Sequence, residues 1–202
     1  MRQLPLLLSV LGACGLPHVD PLPRTDDQST RTTVQVASWC AMKGGAYGTG
    51  VVMSEDRIIT AGHVTSCPDF PTVIAMVNGR AWTLIEDRND LIFGDGTDLA
   101  SLRTAGALDR FGLGVAPPVI GPDPGYNDVV CAQTLRGRTC GPLVGMGVLE
   151  LPTRHGDSGA PIYDLDGRLV GIVVSGDEDE RGTLDSLYTG YVGSQLDWLE
   201  GT

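Results

Sequence analysis

The chain has 202 residues, 42% of them apolar and 19% charged, which describes a folded, water-exposed protein rather than a disordered or multi-span membrane one. Its 28 glycines and 13 prolines favour many turns over long helices, so an all-β fold is the first expectation. A formal net charge of −11 repels phosphate, and no basic cluster offsets it, which argues against a nucleic-acid partner.

In chain order, residues 1–13 (MRQLPLLLSVLGA) carry a positive charge at Arg2 and then about ten mostly apolar residues. Ten residues are too few to span a bilayer as a helix, so the segment reads as a secretory signal ending at Gly12 and Ala13. Cys14 follows at once, and Leu11-Gly12-Ala13-Cys14 resembles the lipobox of bacterial lipoproteins, in which the cysteine is lipidated. The alternative is an ordinary signal that happens to end near a cysteine. Lipidation of Cys14 would resolve an arithmetic oddity, because five cysteines are an odd set for an exported protein. Cys40, Cys67, Cys131 and Cys140 would then remain, with three connectivities open. His18, His63 and His155 lie far apart without metal-ligand spacing, so no metal site and no cofactor are expected. Residues 14–33 have many Pro, Thr and Asp and no apolar periodicity, and read as a flexible tether.

From Val34 the pattern is one of short apolar runs divided by turn signals. Val51–Met53 and Arg57–Ala61 flank Ser-Glu-Asp, Thr72–Val77 and Ala81–Ile85 flank Asn78-Gly79-Arg80, and Pro161–Leu165 and Leu169–Val174 flank Asp166-Gly167. Asn-Gly and Asp-Gly between such runs are strong hairpin signals. The Gly- and Pro-bearing segment between Thr104 and Pro118 divides two sub-domains, about 34–107 and 116–192. Only about 193–200, with Leu196 and Leu199 three apart, has a helical pattern.

Three segments carry candidate chemistry. TAGHV (Thr60–Val64) ends a strand pattern with His63; TDLASL (Thr97–Leu102) opens one with Asp98; HGDSGAPIY (His155–Tyr163) sets Ser158 between glycines that let backbone N–H groups approach a substrate. Each alone has an ordinary structural explanation. Together they supply a base, an orienting carboxylate and a nucleophile in the order His63, Asp98, Ser158. The α/β-hydrolase pattern G-x-S-x-G fails at Ala160, and the subtilisin arrangement demands a parallel sheet that the hairpins oppose.

These segments resemble the TAAHC, D-[ILV]-A-x-L and GDSGGP motifs of the trypsin/chymotrypsin-like serine peptidases. LVGIVVSG (Leu169–Gly176) resembles the strand lining the family's substrate cleft, LYTGYVGSQLDWLE (Leu187–Glu200) its closing strand and helix, and VCAQTLRGRTCG (Val130–Gly141) the cystine hairpin of the secreted bacterial branch. The resemblance spans about 34–200. It implies two packed six-stranded antiparallel β-barrels with the triad in the cleft between them, and an oxyanion hole from the N–H groups of Gly156 and Ser158. It also implies disulfides Cys40–Cys67 and Cys131–Cys140, and substrate-binding positions at Pro152, Ser175 and Gly176. Pro152 stands where trypsin-type enzymes carry an aspartate, so small or medium neutral residues rather than Arg or Lys are expected before the scissile bond, with an acidic preference, through Arg154 and His155 near the pocket mouth, as the alternative.

Two departures from the family are visible. No activation sequence precedes Val34, so Asp157 lacks a freed N-terminus to pair with, and the arginine of the bacterial branch is replaced by Ala132. Arg136, Arg138 and Arg154 are the candidate substitutes. LVGIVVSG is also one residue longer than family examples, which leaves the alignment of Val174, Ser175 and Gly176 open. The resemblance thus implies a monomeric endopeptidase acting on protein or peptide substrates at the bacterial cell envelope, held to the membrane only by its lipid anchor. The competing reading is a catalytically silent domain that binds a protein partner.

Overall fold

The computed structural model describes residues 28–41, 44–66, 72–89, 98–106, 110–114, 116–145, 148–149, 153–175 and 187–190. The signal segment, Cys14, Cys67, Pro152, Gly176 and the expected helix at 193–200 lie outside them. The described residues are mostly β, with two short helices: α1 (Gln28–Thr32), β1 (Thr33–Cys40), β2 (Gly44–Val52), β3 (Arg57–Ala61), α2 (Gly62–Thr65), β4 (Thr72–Val77), β5 (Arg80–Asn89), β6 (Leu99–Thr104), β7 (Val129–Thr134), β8 (Gly137–Gly145), β9 (Val148–Leu149), β10 (Pro161–Tyr163), β11 (Leu169–Ser175) and β12 (Leu187–Gly190).

The first six strands close into an antiparallel barrel in the order β1-β2-β3-β6-β5-β4. Strict alternation drives it: along β4 the side chains of Val73, Ala75 and Val77 are buried, while those of Thr72, Ile74 and Met76 face outward. Ile58, Ile59, Leu99 and Leu102 fill the interior at 1% exposure or less, each worth about 1.5–3 kcal/mol relative to exposure. Asn78 (φ 52°) and Gly79 (φ 73°) both take the left-handed conformation between β4 and β5, as a two-residue Asn-Gly hairpin requires.

A second six-stranded sheet pairs in the sequence β7-β8-β9-β12-β11-β10 and returns from β10 to β7. Its first strand begins at Val129, within the sub-domain expected over about 116–192. The intervening stretch contains Pro117, Pro118, Pro122 and Pro124, which have no N–H to give to a ladder; it contributes an isolated bridge from Ile120 to Leu169. Tyr163, Leu169, Ile172 and Val174 of the second sheet belong to the same buried cluster as the barrel residues.

The tether expected over residues 14–33 is corrected at its C-terminal end. Residues 28–33 are folded, with Ser29, Thr32 and Thr33 buried. Their anchorage is polar, and apolar periodicity cannot reveal it: Gln28 Nε2 donates to Ala116 O (2.8 Å), Ser29 Oγ to Gln133 Oε1 (3.4 Å), and Thr32 Oγ1 lies 3.2 Å from the Tyr163 hydroxyl.

Strand β11 contains a bulge. Val173 faces Thr189 and Ser175 faces Tyr188, so two steps on β11 oppose one on β12 and Val174 is the inserted residue.

Candidate active site

His63 lies in the first turn of α2, immediately after β3. Ala61, at the N-cap, has no side-chain oxygen to satisfy the free N–H groups of this helix. Asp98 supplies the acceptors instead. Its carbonyl accepts from Gly62 N (2.8 Å), its Oδ1 from His63 N (2.8 Å), and its Oδ2 from His63 Nδ1 (2.7 Å). Three bonds from one residue thus fix both the backbone and the ring of His63. The carboxylate on Nδ1 selects the tautomer that leaves Nε2 as the acceptor. Asp98 adopts φ 52°, sparsely populated for a residue with a Cβ. The His63 side chain is 42% exposed and that of Asp98 21%.

Ser158 sits in the turn between residues 153 and 160, half-buried. Backbone bonds hold this turn on both sides: Ser158 O accepts from Thr49 N of β2 (2.7 Å), and Gly159 N donates to Val173 O of β11 (2.6 Å). Thr49 Oγ1 also donates to Gly156 O (2.7 Å). Gly156 (φ +94°) and Gly159 (φ +85°) have conformations that side chains rarely adopt. A Cβ on Gly159 would lie 1.9 Å from Thr49 O and 2.3 Å from Thr60 Oγ1. The glycine is therefore what lets the turn press against the β2–β3 end that leads into His63.

Gly48 makes the complementary approach: a Cβ there would lie 2.6 Å from Ser158 O and 2.7 Å from Val64 Cγ2. Its neighbours place the Ser158 backbone beside the helix that carries His63. Among the described residues no hydrogen bond joins His63 Nε2 to Ser158 Oγ, a bond that commonly tightens only when substrate is present. Neither Gly156 N nor Ser158 N donates to a protein acceptor among the described residues, so two N–H groups of the turn remain available.

Between those two donors lies Asp157, 2% exposed. The guanidinium of Arg136 bonds its Oδ2, and Arg154 N donates to the same oxygen (2.9 Å). Of the three candidate arginines, Arg136 is the ion-pair partner. It stands at the β7–β8 turn, above a hairpin cross-linked by the Cys131–Cys140 disulfide between directly facing residues. Burial pushes the Asp157 carboxyl above the ordinary carboxylate range, against the opposing pull of Arg136 and the Arg154 N–H.

Cys40 is disulfide-bonded, with a partner outside the described residues. Ser175 ends β11, and nothing of its side chain is described. Among the described residues no group of His, Cys, Asp and Glu is arranged to hold a metal ion. A cavity of about 360 Å³ lined by Asp56, Asp87, Arg103 and Thr104 includes none of the residues above.

Sequence reasoning singled out His63, Asp98 and Ser158 and did not single out Thr49 or Gly48. The Gly48-Thr49-Gly50 spacing was the available signal.

The architecture can be compared with solved structures. The active form of the Rv3671c protease from M. tuberculosis superimposes with a TM-score of 0.60 at 21% identity, covering 93% of this chain and 94% of that one. The chain has the fold of the trypsin-like serine proteases. The inactive form of Rv3671c gives a TM-score of 0.58 at 23% identity over 86% and 91% of the two chains. The HtrA-type protease AlgW, solved with a decapeptide, gives 0.64 at 17% identity over 85% of this chain and 64% of that one. No family model matches the sequence, and no curated protein matches it.

Proposed function

We propose that the chain is a serine endopeptidase built on two six-stranded barrels packed face to face, with the catalytic groups in the cleft between them. Ser158 Oγ attacks the scissile carbonyl carbon as its proton passes to His63 Nε2. The tetrahedral oxyanion lies against the N–H groups of Gly156 and Ser158, whose positions are fixed before substrate arrives. On collapse of the intermediate the C–N bond breaks, and imidazolium at His63 protonates the leaving amine. Water activated by the same imidazole then hydrolyses the acyl-enzyme. Asp98 holds the ring and stabilises the imidazolium without taking the proton.

One observation carries this reading: the carboxylate-bound His63 and a glycine-flanked serine turn with two undonated N–H groups meet across Gly48 and Thr49. The fold shared with proteases supports it, and so does the Gly156-Asp157-Ser158-Gly159-Ala160-Pro161 segment, which matches the GDSGGP motif except at Ala160.

The envelope location belongs to the same proposal. It rests on the signal-like residues 1–13 and the lipobox-like Cys14; stable anchoring takes more than one acyl chain, which a diacylated or triacylated Cys14 would supply. Transfer of the protein from the membrane to the soluble fraction in Cys14→Ser supports the anchor, and unchanged fractionation refutes it. Digestion of denatured casein tests the activity. Cleavage by the wild type, lost in Ser158→Ala and directed to bonds after neutral residues, is the expected result. Efficient cleavage of arginyl reporters overturns the specificity, and equal cleavage by Ser158→Ala overturns the chemistry in favour of a silent binding domain.

A further inference from the structure

Two buried hydroxyls sit where the barrel meets the nucleophile turn. In the buried run of β2 at residues 48–52 only Thr49 has a polar side chain, and in the buried run of β3 at residues 58–61 only Thr60. Both are 0% exposed. Valine would suit either strand as well and would bury no hydroxyl, a group whose burial is costly unless it is bonded. Both hydroxyls are bonded, and their bonds join the nucleophile turn to the strand that leads into His63.

Thr49 holds the turn at two points. Its Oγ1 donates to Gly156 O (2.7 Å) and its N–H to Ser158 O (2.7 Å). These carbonyls belong to the same two residues whose N–H groups are undonated among the described residues. Gly156, at φ +94° and without a Cβ, has little preference of its own for one orientation. The peptide plane that follows it is instead pinned at both ends, its oxygen by the Thr49 hydroxyl and the Asp157 N–H by Arg154 O (3.0 Å). On the barrel side, Thr60 Oγ1 donates to Thr49 O (2.7 Å), three residues before His63.

We propose, on the basis of the peptidase reading, that Thr49 is a positioning residue of the reaction: its hydroxyl holds the Gly156 N–H where the oxyanion forms, and Thr60 sets that hold relative to His63. Thr49 is fully buried and acts through Gly156 rather than on substrate. Oxyanion donors are effective because they need not reorganise during the reaction. Loss of the hydroxyl gives the Gly156 peptide freedom to turn, a cost met in the transition state rather than in ground-state binding, and so in kcat rather than KM.

The test uses a peptidyl aminocoumarin whose residues before the scissile bond are taken from a cut site in denatured casein, with rates expressed per site titrated by a fluorophosphonate. Thr49→Val keeps the N–H bond and deletes the hydroxyl one. It should lower kcat by about tenfold to a hundredfold, less than the 10²–10³ typical of deleting an oxyanion donor outright, with KM within about twofold. A peptide aldehyde of the same sequence, whose hemiacetal oxygen takes the oxyanion position, should bind more weakly by about the same factor. The acid limb of the pH profile should not move, because the Asp98 bonds to His63 are untouched. Thr49→Ser restores the donor and should bring kcat back to within about threefold of the wild type, and Thr60→Val should fall between the wild type and Thr49→Val. Thr104→Val is the control: it deletes another buried barrel hydroxyl, bonded to Gly106 O (3.2 Å) at the opposite end of β6 from Asp98, and should cost stability without changing kcat. A wild-type kcat in Thr49→Val, a loss carried by KM, a loss that Thr49→Ser does not restore, or an equal loss in Thr104→Val overturns the inference while Ser158 still takes the fluorophosphonate. If Thr49→Val does not fold, Thr49→Ala and Thr60→Val are read against the same outcomes. A wild type that neither reacts with the fluorophosphonate nor releases aminocoumarin overturns the peptidase reading first and this inference with it.

Discussion

The two halves of the candidate site are held by opposite means. On the barrel, His63 rides a helix of four residues and is steered by one aspartate, which accepts from His63 N and Nδ1 and from Gly62 N, with the His63 side chain 42% exposed. In the second sheet, Ser158 sits in a turn locked by backbone bonds to β2 and β11, by two glycines at positive φ, and by the ion pair of buried Asp157 with half-exposed Arg136. The difference follows from the work proposed for each. A base that exchanges protons with two partners needs a steered but reachable ring, whereas oxyanion donors act only if they cannot reorganise. Side-chain bonds suit the first and backbone bonds suit the second.

Predictions that break this comparison run from the chemistry outward. Ser158→Ala removes the nucleophile and should lower peptide hydrolysis by about 10⁶, roughly 8 kcal/mol of transition-state stabilisation, with folding unchanged. His63→Ala should be nearly as severe, and adding it to Ser158→Ala should cost little more, because groups that act as a unit are not additive. On the barrel side, Asp98→Asn keeps the shape but presents an N–H where His63 needs an acceptor. A loss of about 10⁴ in turnover, measurable with the aminocoumarin reporter, is expected.

On the second side the damage should be structural before it is chemical. Gly159→Ala forces a Cβ to 1.9 Å from Thr49 O at φ +85°, a conflict that only backbone displacement relieves. Activity should vanish and the melting temperature should drop, whereas Asp98→Asn should leave that temperature nearly unchanged. Arg136→Met strands the Asp157 carboxylate in its buried site. Breaking a fully buried pair costs about 3–5 kcal/mol; Arg136 is half exposed, so about 2 kcal/mol is expected in urea unfolding.

The smallest effects concern pH, and their sign separates two aspartates only seven residues apart. Burial raises Asp157, so the folded state holds its proton more tightly than the unfolded one. Its contribution to stability is full below the unfolded value of about 3.8 and is lost as pH rises through the raised folded value. Asp164, at the turn between β10 and β11, is the reverse. Desolvation raises it, but the backbone and side chain of Arg168 outweigh this and lower it, so its contribution is present above about 3.8 and is lost as pH falls. Asp157→Asn and Asp164→Asn should therefore flatten the pH dependence of urea midpoints with opposite sign.

What the sequence made legible follows the same division. The barrel hairpins announce themselves through Asn78-Gly79 and through alternation in β4, and the motifs around His63, Asp98 and Ser158 name the chemical groups. The hairpin signals survive folding because each is satisfied within a few residues, whereas the motifs are legible as residue types although His63 meets Asp98 across 35 residues. The ion pair under Ser158 was not legible, because Arg136, Arg138 and Arg154 have the same charge and nothing local says which one reaches a residue 21 positions away. The docking of residues 28–33 was equally hidden, since Gln28 and Ser29 are satisfied by partners 88 and 104 residues distant. The length of LVGIVVSG was legible, yet only the facing strand shows that Val174 is the bulged residue.

The most direct test of the account is the site of covalent attachment of a fluorophosphonate to the native protein, mapped by peptide mass spectrometry. A single adduct on Ser158, absent after heating and strongly slowed in His63→Ala, is the predicted result. An adduct on another residue, or equal labelling of Ser158→Ala, would contradict the claim that the two halves of the site meet to activate this serine.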